Sequence, residues 1–155
     1  RLLFSERIAQ ALQRDKQRGA LLLIDLDHFK IINESLGHNT GDQLLKLIGE
    51  RLGGCFDKQL TLARLGGDEF GLLSNNCANA EQASQLAQRL LDSLTQPFQI
   101  AGETLFIGAS IGISLFPEDG NSVEQLLRNA DLAMSQAKQQ GRDRICSEPL
   151  AEVTA

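Results

Sequence analysis

Four carboxylates stand where a soluble fold usually avoids them. Asp25 follows the apolar run Ala20-Leu21-Leu22-Leu23-Ile24, and Asp27 comes two residues later. Asp68 and Glu69 follow the pair Gly66-Gly67 directly. A charge at the end of a buried strand is costly unless it is paired or binds a metal. If the two segments are neighbouring strands, Asp25 and Asp68 converge. Convergent hard oxygen ligands with room for water suit Mg²⁺, which keeps several waters and binds substrate phosphates as well. Each site alone has a plainer reading: Asp25 or Asp27 caps the next helix, and Asp68-Glu69 are ordinary hairpin polars. The two sites together favour the metal.

Phosphate chemistry also needs cations. Lys30 follows Asp25 closely, at the start of a helical stretch, and Lys138, Arg142 and Arg144 gather around Gly141. Cations near a helix C-terminus also answer to the helix dipole or form a solvated face, so the residues alone leave both readings open. His28 and His38 lack a second His or Cys at ligand spacing and read as a surface residue and a helix-start residue. Cys55, Cys77 and Cys146 form no CxxC pair. They read as small apolar fillers rather than a disulfide framework or zinc site.

The elements that must position these groups follow from periodicity. Leu3, Ile8, Ala11 and Leu12 predict a first helix, ended by Gly19. Ala20 to Leu26 predicts a buried central strand. His28 to about Gly53 predicts two helices broken near Gly37 and Gly41, with Leu44, Leu45, Ile48 and Leu52 as the apolar stripe. Thr61–Leu65 and Phe70–Leu73 predict a hairpin with a type I′ turn at Gly66-Gly67. Asn79 with Gln82 predicts a capping box for a helix that Pro97 stops. Phe98–Ile100 and Thr104–Phe116 predict strands around a turn at Ala101-Gly102, the second alternating as a strand with one buried face. Pro117–Gly120 predicts a turn. Ser122 with Gln125 caps a final helix, Gly141 sits at its C′ position, and a short strand follows at Arg144–Cys146. The order suggests an α/β sandwich, with helices around one mixed or antiparallel sheet.

Bulk properties narrow the function. A chain of 155 residues fits one domain;. Its formal charge of −5 disfavours nucleic-acid partners;. No apolar run approaches a membrane span, and Arg1 opens no signal peptide. The expectation is a soluble, cytoplasmic domain over residues 1–146, with 147–155 a tail or linker. Such a domain can also belong to a membrane-anchored protein.

At Arg64-Leu65-Gly66-Gly67-Asp68-Glu69-Phe70 the chain resembles the GGDEF family of diguanylate cyclases, with the signature intact at 66–70. Other blocks match in order: Asp25-Leu26-Asp27-His28-Phe29-Lys30, Asn33, Leu36-Gly37-His38, Gly41-Asp42, Ala109-Ser110-Ile111-Gly112-Ile113, Ala130-Asp131, Ala133-Met134, Ala137-Lys138 and Gly141-Arg142. The resemblance spans roughly residues 1–146. It implies a palm-like nucleotidyl cyclase fold, with a mainly antiparallel central sheet surrounded by helices. It implies two GTP molecules facing each other across a homodimer, condensed to cyclic di-GMP with Mg²⁺ or Mn²⁺. By motif position, Asp25, Asp68 and the backbone carbonyl of Leu26 would bind metal. Asp68 is the candidate base for the 3′-hydroxyl, with Glu69 in support. Asn33 and Asp42 would read guanine. Lys30, Lys138 and Arg142 would clamp the triphosphate, Lys30 counting among the catalytic groups. Phe29, Gly66 and Gly67 complete the nucleotide-binding set.

The chain departs from the family in places. An inhibitory product site, Arg-x-x-Asp ahead of the signature, is replaced by Asp57-Lys58-Gln59-Leu60, so no feedback inhibition is expected there. Ser135 stands where Tyr is usual. Apart from Arg1, the usual Leu-Pro-Asn-Arg lead-in is missing, which suggests a piece of a longer protein carrying sensory or effector domains. Two other readings compete with an active cyclase. One is a GTP-binding module, weak or inactive in catalysis, that regulates an attached domain such as a phosphodiesterase; the intact signature weighs against it. The other is a different palm-type nucleotidyl transferase, against which Asn33 and Asp42 weigh.

Overall fold

The computed structural model describes residues 2–13, 18–54, 60–75, 77, 79–142 and 144–146. The elements are α1 (Leu2–Gln13), β1 (Gly19–Leu26), α2 (Phe29–Leu36), α3 (His38–Gly54), β2 (Leu60–Arg64), β3 (Glu69–Ser74), α4 (Ala80–Thr95), β4 (Phe98–Ile100), β5 (Glu103–Leu105), β6 (Ala109–Phe116), α5 (Val123–Gln139) and β7 (Arg144–Cys146). Five strands form one sheet in the order β2-β3-β1-β6-β7. Every pairing in it is antiparallel except β6 with β7. This is the expected mainly antiparallel sheet among helices. No described helix is long and apolar enough to cross a membrane.

β1 is buried along its whole length, because helices cover both sides of the sheet. Alternate residues feed two cores. Ala20, Leu22, Ile24 and Leu26 join Leu44, Leu45, Ile48 and Leu52 of α3 and the apolar face of α4. Leu21 and Leu23 join Phe4 and Ile8 of α1 with Leu126, Ala130 and Met134 of α5. A strand buried on both faces reads as a continuous apolar run, which is why Ala20–Leu26 was legible without alternation.

Several expectations need correction. α1 turns Phe4, Ile8 and Ala11 inward while Leu3 is 65% exposed; spacing of four and three residues selects the face through Phe4. Gly19 does not end that helix but begins β1. The break between α2 and α3 is at Gly37 alone, since Gly41 lies buried inside α3. Thr104–Phe116 is not one strand: β5 pairs with β4 in a separate two-stranded sheet, and β6 begins only at Ala109. Nor is β6 solvated on one face. Its non-aliphatic positions Ser110, Gly112 and Ser114 are small residues that let α5 lie close. A Cβ at Gly112 would stand 2.1 Å from the Ala130 carbonyl oxygen.

The two hairpins exchange roles. Ala101 and Gly102 have φ of 51° and 83°, as a type I′ turn requires;. Gly66 and Gly67 do not have positive φ. They sit instead in a wider loop, where the Leu65 amide donates to the Glu69 carbonyl at 2.8 Å. The helix caps follow the sequence. The Gln82 amide donates to Asn79 Oδ1 at 2.9 Å and the Gln125 amide to Ser122 Oγ at 3.2 Å. In the second cap the Gln125 side chain reaches back to the Asn121 amide rather than to Ser122.

Candidate functional site

The site lies where β1 runs out of the sheet. Asp25, 9% exposed, stands directly opposite Glu69 of β3 and Ser110 of β6. Directly opposed residues of an antiparallel pair share a face, here the face that α5 covers. The Leu26 amide donates to the Asp68 carbonyl at 3.0 Å and the Asp27 amide to the Gly108 carbonyl at 2.8 Å. These bonds tie both neighbouring segments to the end of β1. The two acidic sites of the sequence therefore meet, as expected.

Charge at this point is dense. Burial pushes the Asp25 carboxyl above the usual carboxylate range. A hydrogen bond and the positive charge of Lys138 pull it back down, and the nearby charges of Asp68 and Asp27 push it up again. Lys138 Nζ forms an ion pair and hydrogen bond with Asp25 Oδ2. Asp27 is 6% exposed. It accepts a hydrogen bond from Ser110 Oγ at 2.8 Å, and Arg142 Nη1 stands 3.9 Å from its Oδ1. The residue before α2 is His28, at φ 60° and with no side-chain cap bond. The N-cap position falls to His28 rather than Asp27, whose carboxylate meets Ser110 at the sheet end. His28 and His38 are exposed, as expected.

α5 delivers the cations. Its approach at Gly112, and the bond from Ser114 Oγ to the Leu126 carbonyl at 2.9 Å, hold it along β6. Its C-terminus closes with the Gly141 amide on the Lys138 carbonyl at 3.3 Å and the Arg142 amide on the Ala137 carbonyl at 3.0 Å. That is a Schellman closure, with Gly141 at C′ as expected. Arg142 follows at φ 65°. Lys138 and Arg142 thus leave the same helix end toward Asp25 and Asp27.

A second cluster forms at the α2–α3 corner. A Cβ at Gly41 would lie 1.7 Å from Asn33 Oδ1. The missing side chain is what lets the Asn33 amide sit against α3, next to exposed Asp42. Lys30 is exposed in the first turn of α2. Phe29 is 4% exposed and packs in the core beneath this corner; the structure gives it a supporting place rather than an open face for nucleotide.

Gly66 and Gly67 are exposed, and a Cβ at either would meet nothing within 4 Å. Arg64 holds this loop from below: Nε donates to the Gly66 carbonyl at 3.1 Å and Nη2 to that of Gly67 at 3.5 Å. Sequence reasoning overlooked Arg64, Ser110 and the Asn33–Gly41 contact. The signals were an Arg two residues before the glycine pair and a Ser within an aliphatic strand. Leu60, at the former inhibitory position, begins β2 and packs partly on the core; Asp57 lies outside the described residues, as do Cys55, Arg1 and the tail from Ser147. Cys77 is buried and Cys146 half-buried, and neither forms a disulfide.

Among the described residues no three His, Cys, Asp or Glu side chains form a ready metal cage. The donor set fits a divalent cation completed by phosphate and water oxygens: the buried Asp25 carboxylate with an opposing cation, near a second carboxylate, Asp68, in the loop that leads into β3;.

Residues 1–144 match the family model described as "Diguanylate cyclase, GGDEF domain". The chain is 46% identical over 149 residues, 94% of its length, to the bifunctional diguanylate cyclase/cyclic di-GMP phosphodiesterase MucR of Pseudomonas aeruginosa, of which it covers 22%. It is 44% identical over 92% of its length to the cyclic di-GMP phosphodiesterase NbdA of the same organism, of which it covers 18%. The chain thus spans about a fifth of these relatives. Among solved structures, the GGDEF domain of PA1120 (YfiN or TpbB) from Pseudomonas aeruginosa superposes with a TM-score of 0.93 at 36% identity, covering 97% of this chain and 96% of that one. The intact signature, the sheet order and the convergence of Asp25 with the Gly66–Phe70 loop agree with these matches, and the chain belongs to the GGDEF family of diguanylate cyclase domains.

Proposed function

We propose that this domain is an active diguanylate cyclase, condensing two GTP into cyclic di-GMP with release of two pyrophosphates. One observation carries the reading: a buried Asp25 carboxylate beside Asp68, in a chain whose signature loop is intact. Asp25, Asp68 and the Leu26 carbonyl would hold Mg²⁺ or Mn²⁺. When bound, that ion would neutralise charge on the phosphate oxygens at the reacting phosphorus.

The chain's own groups do the rest. Asp68 accepts the proton of the 3′-hydroxyl, with Glu69 beside it. Each 3′-oxygen forms a bond to the α-phosphorus of the other GTP as the bond to pyrophosphate breaks. Lys30, Lys138 and Arg142 meet the charge on the nonbridging and leaving oxygens. Gly66 and Gly67 leave space for nucleotide against the loop. The Asp42 carboxylate suits the N1 and N2 donors of guanine, and the Asn33 amide can donate and accept. Adenine lacks that donor edge, which favours GTP over ATP. One subunit holds one GTP, so turnover requires a homodimer. Residues 1–146 would form the catalytic domain and 147–155 a tail or linker, with sensory or effector domains attached in the whole protein. Neither Asp57 nor Leu60 can serve as the Arg or Asp of an inhibitory product site.

A second reading has one observation in its favour: a close relative is a phosphodiesterase of which this chain matches only a fifth. In that reading the domain binds GTP and regulates its neighbour. Incubation with GTP and Mg²⁺, with Asp68→Ala as control, separates the two. Cyclic di-GMP from the wild-type chain alone, rising steeply with protein concentration, supports the cyclase. GTP binding without product supports the regulatory module.

A further inference from the structure

We propose that Lys138 is an internal counterion that holds Asp25 when no divalent cation is bound and moves to the triphosphate when metal and nucleotide load, which makes their binding cooperative. This rests on the reading of Asp25 as a metal carboxylate. The pair joins unequal partners. The Asp25 side chain is 12% exposed and fixed at the end of the central strand, whereas that of Lys138 is 31% exposed on the last turn of α5. The carboxylate cannot leave; the ammonium, on a four-carbon stem, can swing toward water. A divalent cation at Asp25 Oδ2 would contend with that ammonium for one oxygen, and the two charges repel. Arg142 shows the same arrangement more loosely, 3.9 Å from Asp27 with side-chain exposures of 43% and 4%. Both cations come from one helix end, so one anionic ligand above it can receive both.

Metal alone must therefore displace Lys138 without giving it a new partner. A triphosphate supplies that partner and releases Asp25. The coupling is reciprocal: whatever nucleotide adds to metal affinity, metal adds to nucleotide affinity.

The test is Mn²⁺ alone, with no nucleotide, followed by the electron paramagnetic resonance of the free ion. It uses the wild-type chain, Lys138→Met, Lys138→Gln, Lys138→Arg and Asp25→Asn, with thermal melting to check folding. Lys138→Met and Lys138→Gln should bind Mn²⁺ about fivefold or more tightly than wild type, the lower end of ordinary coupling between ligands. Lys138→Arg, which keeps the charge, should stay near wild type, and Asp25→Asn should abolish the site. Binding that depends on Asp25 but is unchanged or weaker in Lys138→Met and Lys138→Gln would overturn the exchange and leave the metal site standing. Binding indifferent to Asp25→Asn would overturn the metal site and the exchange with it.

Discussion

The carboxylate end of β1 and the corner between α2 and α3 are built in opposite ways. At the first, charge is buried and already satisfied: Asp25 by Lys138, Asp27 by Ser110. At the second, the groups are at or near the surface, and the decisive feature is an absent atom, the Cβ that Gly41 lacks. Buried charge demands partners within the fold, so the first region is wired before any ligand arrives. A surface amide and carboxylate demand nothing, so the second region can be shaped by sterics alone. In the proposed function the first would supply reaction chemistry and the second base selection.

Substitutions can break this contrast, and the largest effect belongs to the buried end. Asp25→Asn should lower cyclic di-GMP formation by on the order of 100-fold or more, as loss of a charge-stabilising group does, while circular dichroism shows the fold intact. At the corner, Asn33→Ala or Asp42→Ala should act through KM for GTP and narrow the preference for GTP over ATP, by roughly 10- to 100-fold in kcat/KM ratio. Equal losses for both nucleotides would remove the corner from base reading.

Gly41→Ala sharpens the comparison further. In an exposed helix the change would stabilise by about 1 kcal/mol. Here it drives a methyl into Asn33, so GTP affinity should fall severalfold and the melting temperature should not rise. A more stable variant with unaltered GTP binding would show that the Asn33 contact is dispensable.

The smallest expected effect is a pH slope. The folded Asp25 carboxyl lies above its ordinary range because of burial, despite Lys138. Folding therefore favours its protonated form. The associated stability is present below the ordinary carboxylate value and is lost as pH rises through the raised folded value. Melting curves should show wild type losing stability relative to Asp25→Asn across that window, in the absence of metal. Parallel curves would mean that Lys138 fully offsets the burial.

Much of this was legible in the sequence, for physical reasons that differ by element. The central strand could be read because it is buried on both faces, and the stripe of α3 because Leu44, Leu45, Ile48 and Leu52 keep helical spacing. The meeting of Asp25 with Asp68 could be read because buried carboxylates need a purpose. The helix caps were legible from local hydrogen bonding alone. The turn types were not: two glycines at 66–67 look like a tight hairpin, yet the turn with positive φ uses Ala101-Gly102. Backbone sterics permit glycine both shapes, and only the chain's wider path selects one. The small residues of β6 were also misread, since a serine facing a helix backbone and a serine facing water look alike in one dimension. Nothing local could reveal that Asn33 leans on Gly41, a contact made across two helices.

The central claim is that carboxylates from β1 and from the loop ahead of β3 hold a divalent cation against a guanine triphosphate. Crystals grown with Mn²⁺ and 3′-deoxy-GTP, which has no 3′-hydroxyl to attack the other nucleotide, test it by anomalous scattering. The account predicts a Mn²⁺ peak within about 2.5 Å of carboxylate oxygens of both Asp25 and Asp68, touching the phosphates. Nucleotide bound with the metal elsewhere, or with Asp25 still paired to Lys138 and no metal between the strands, would contradict it.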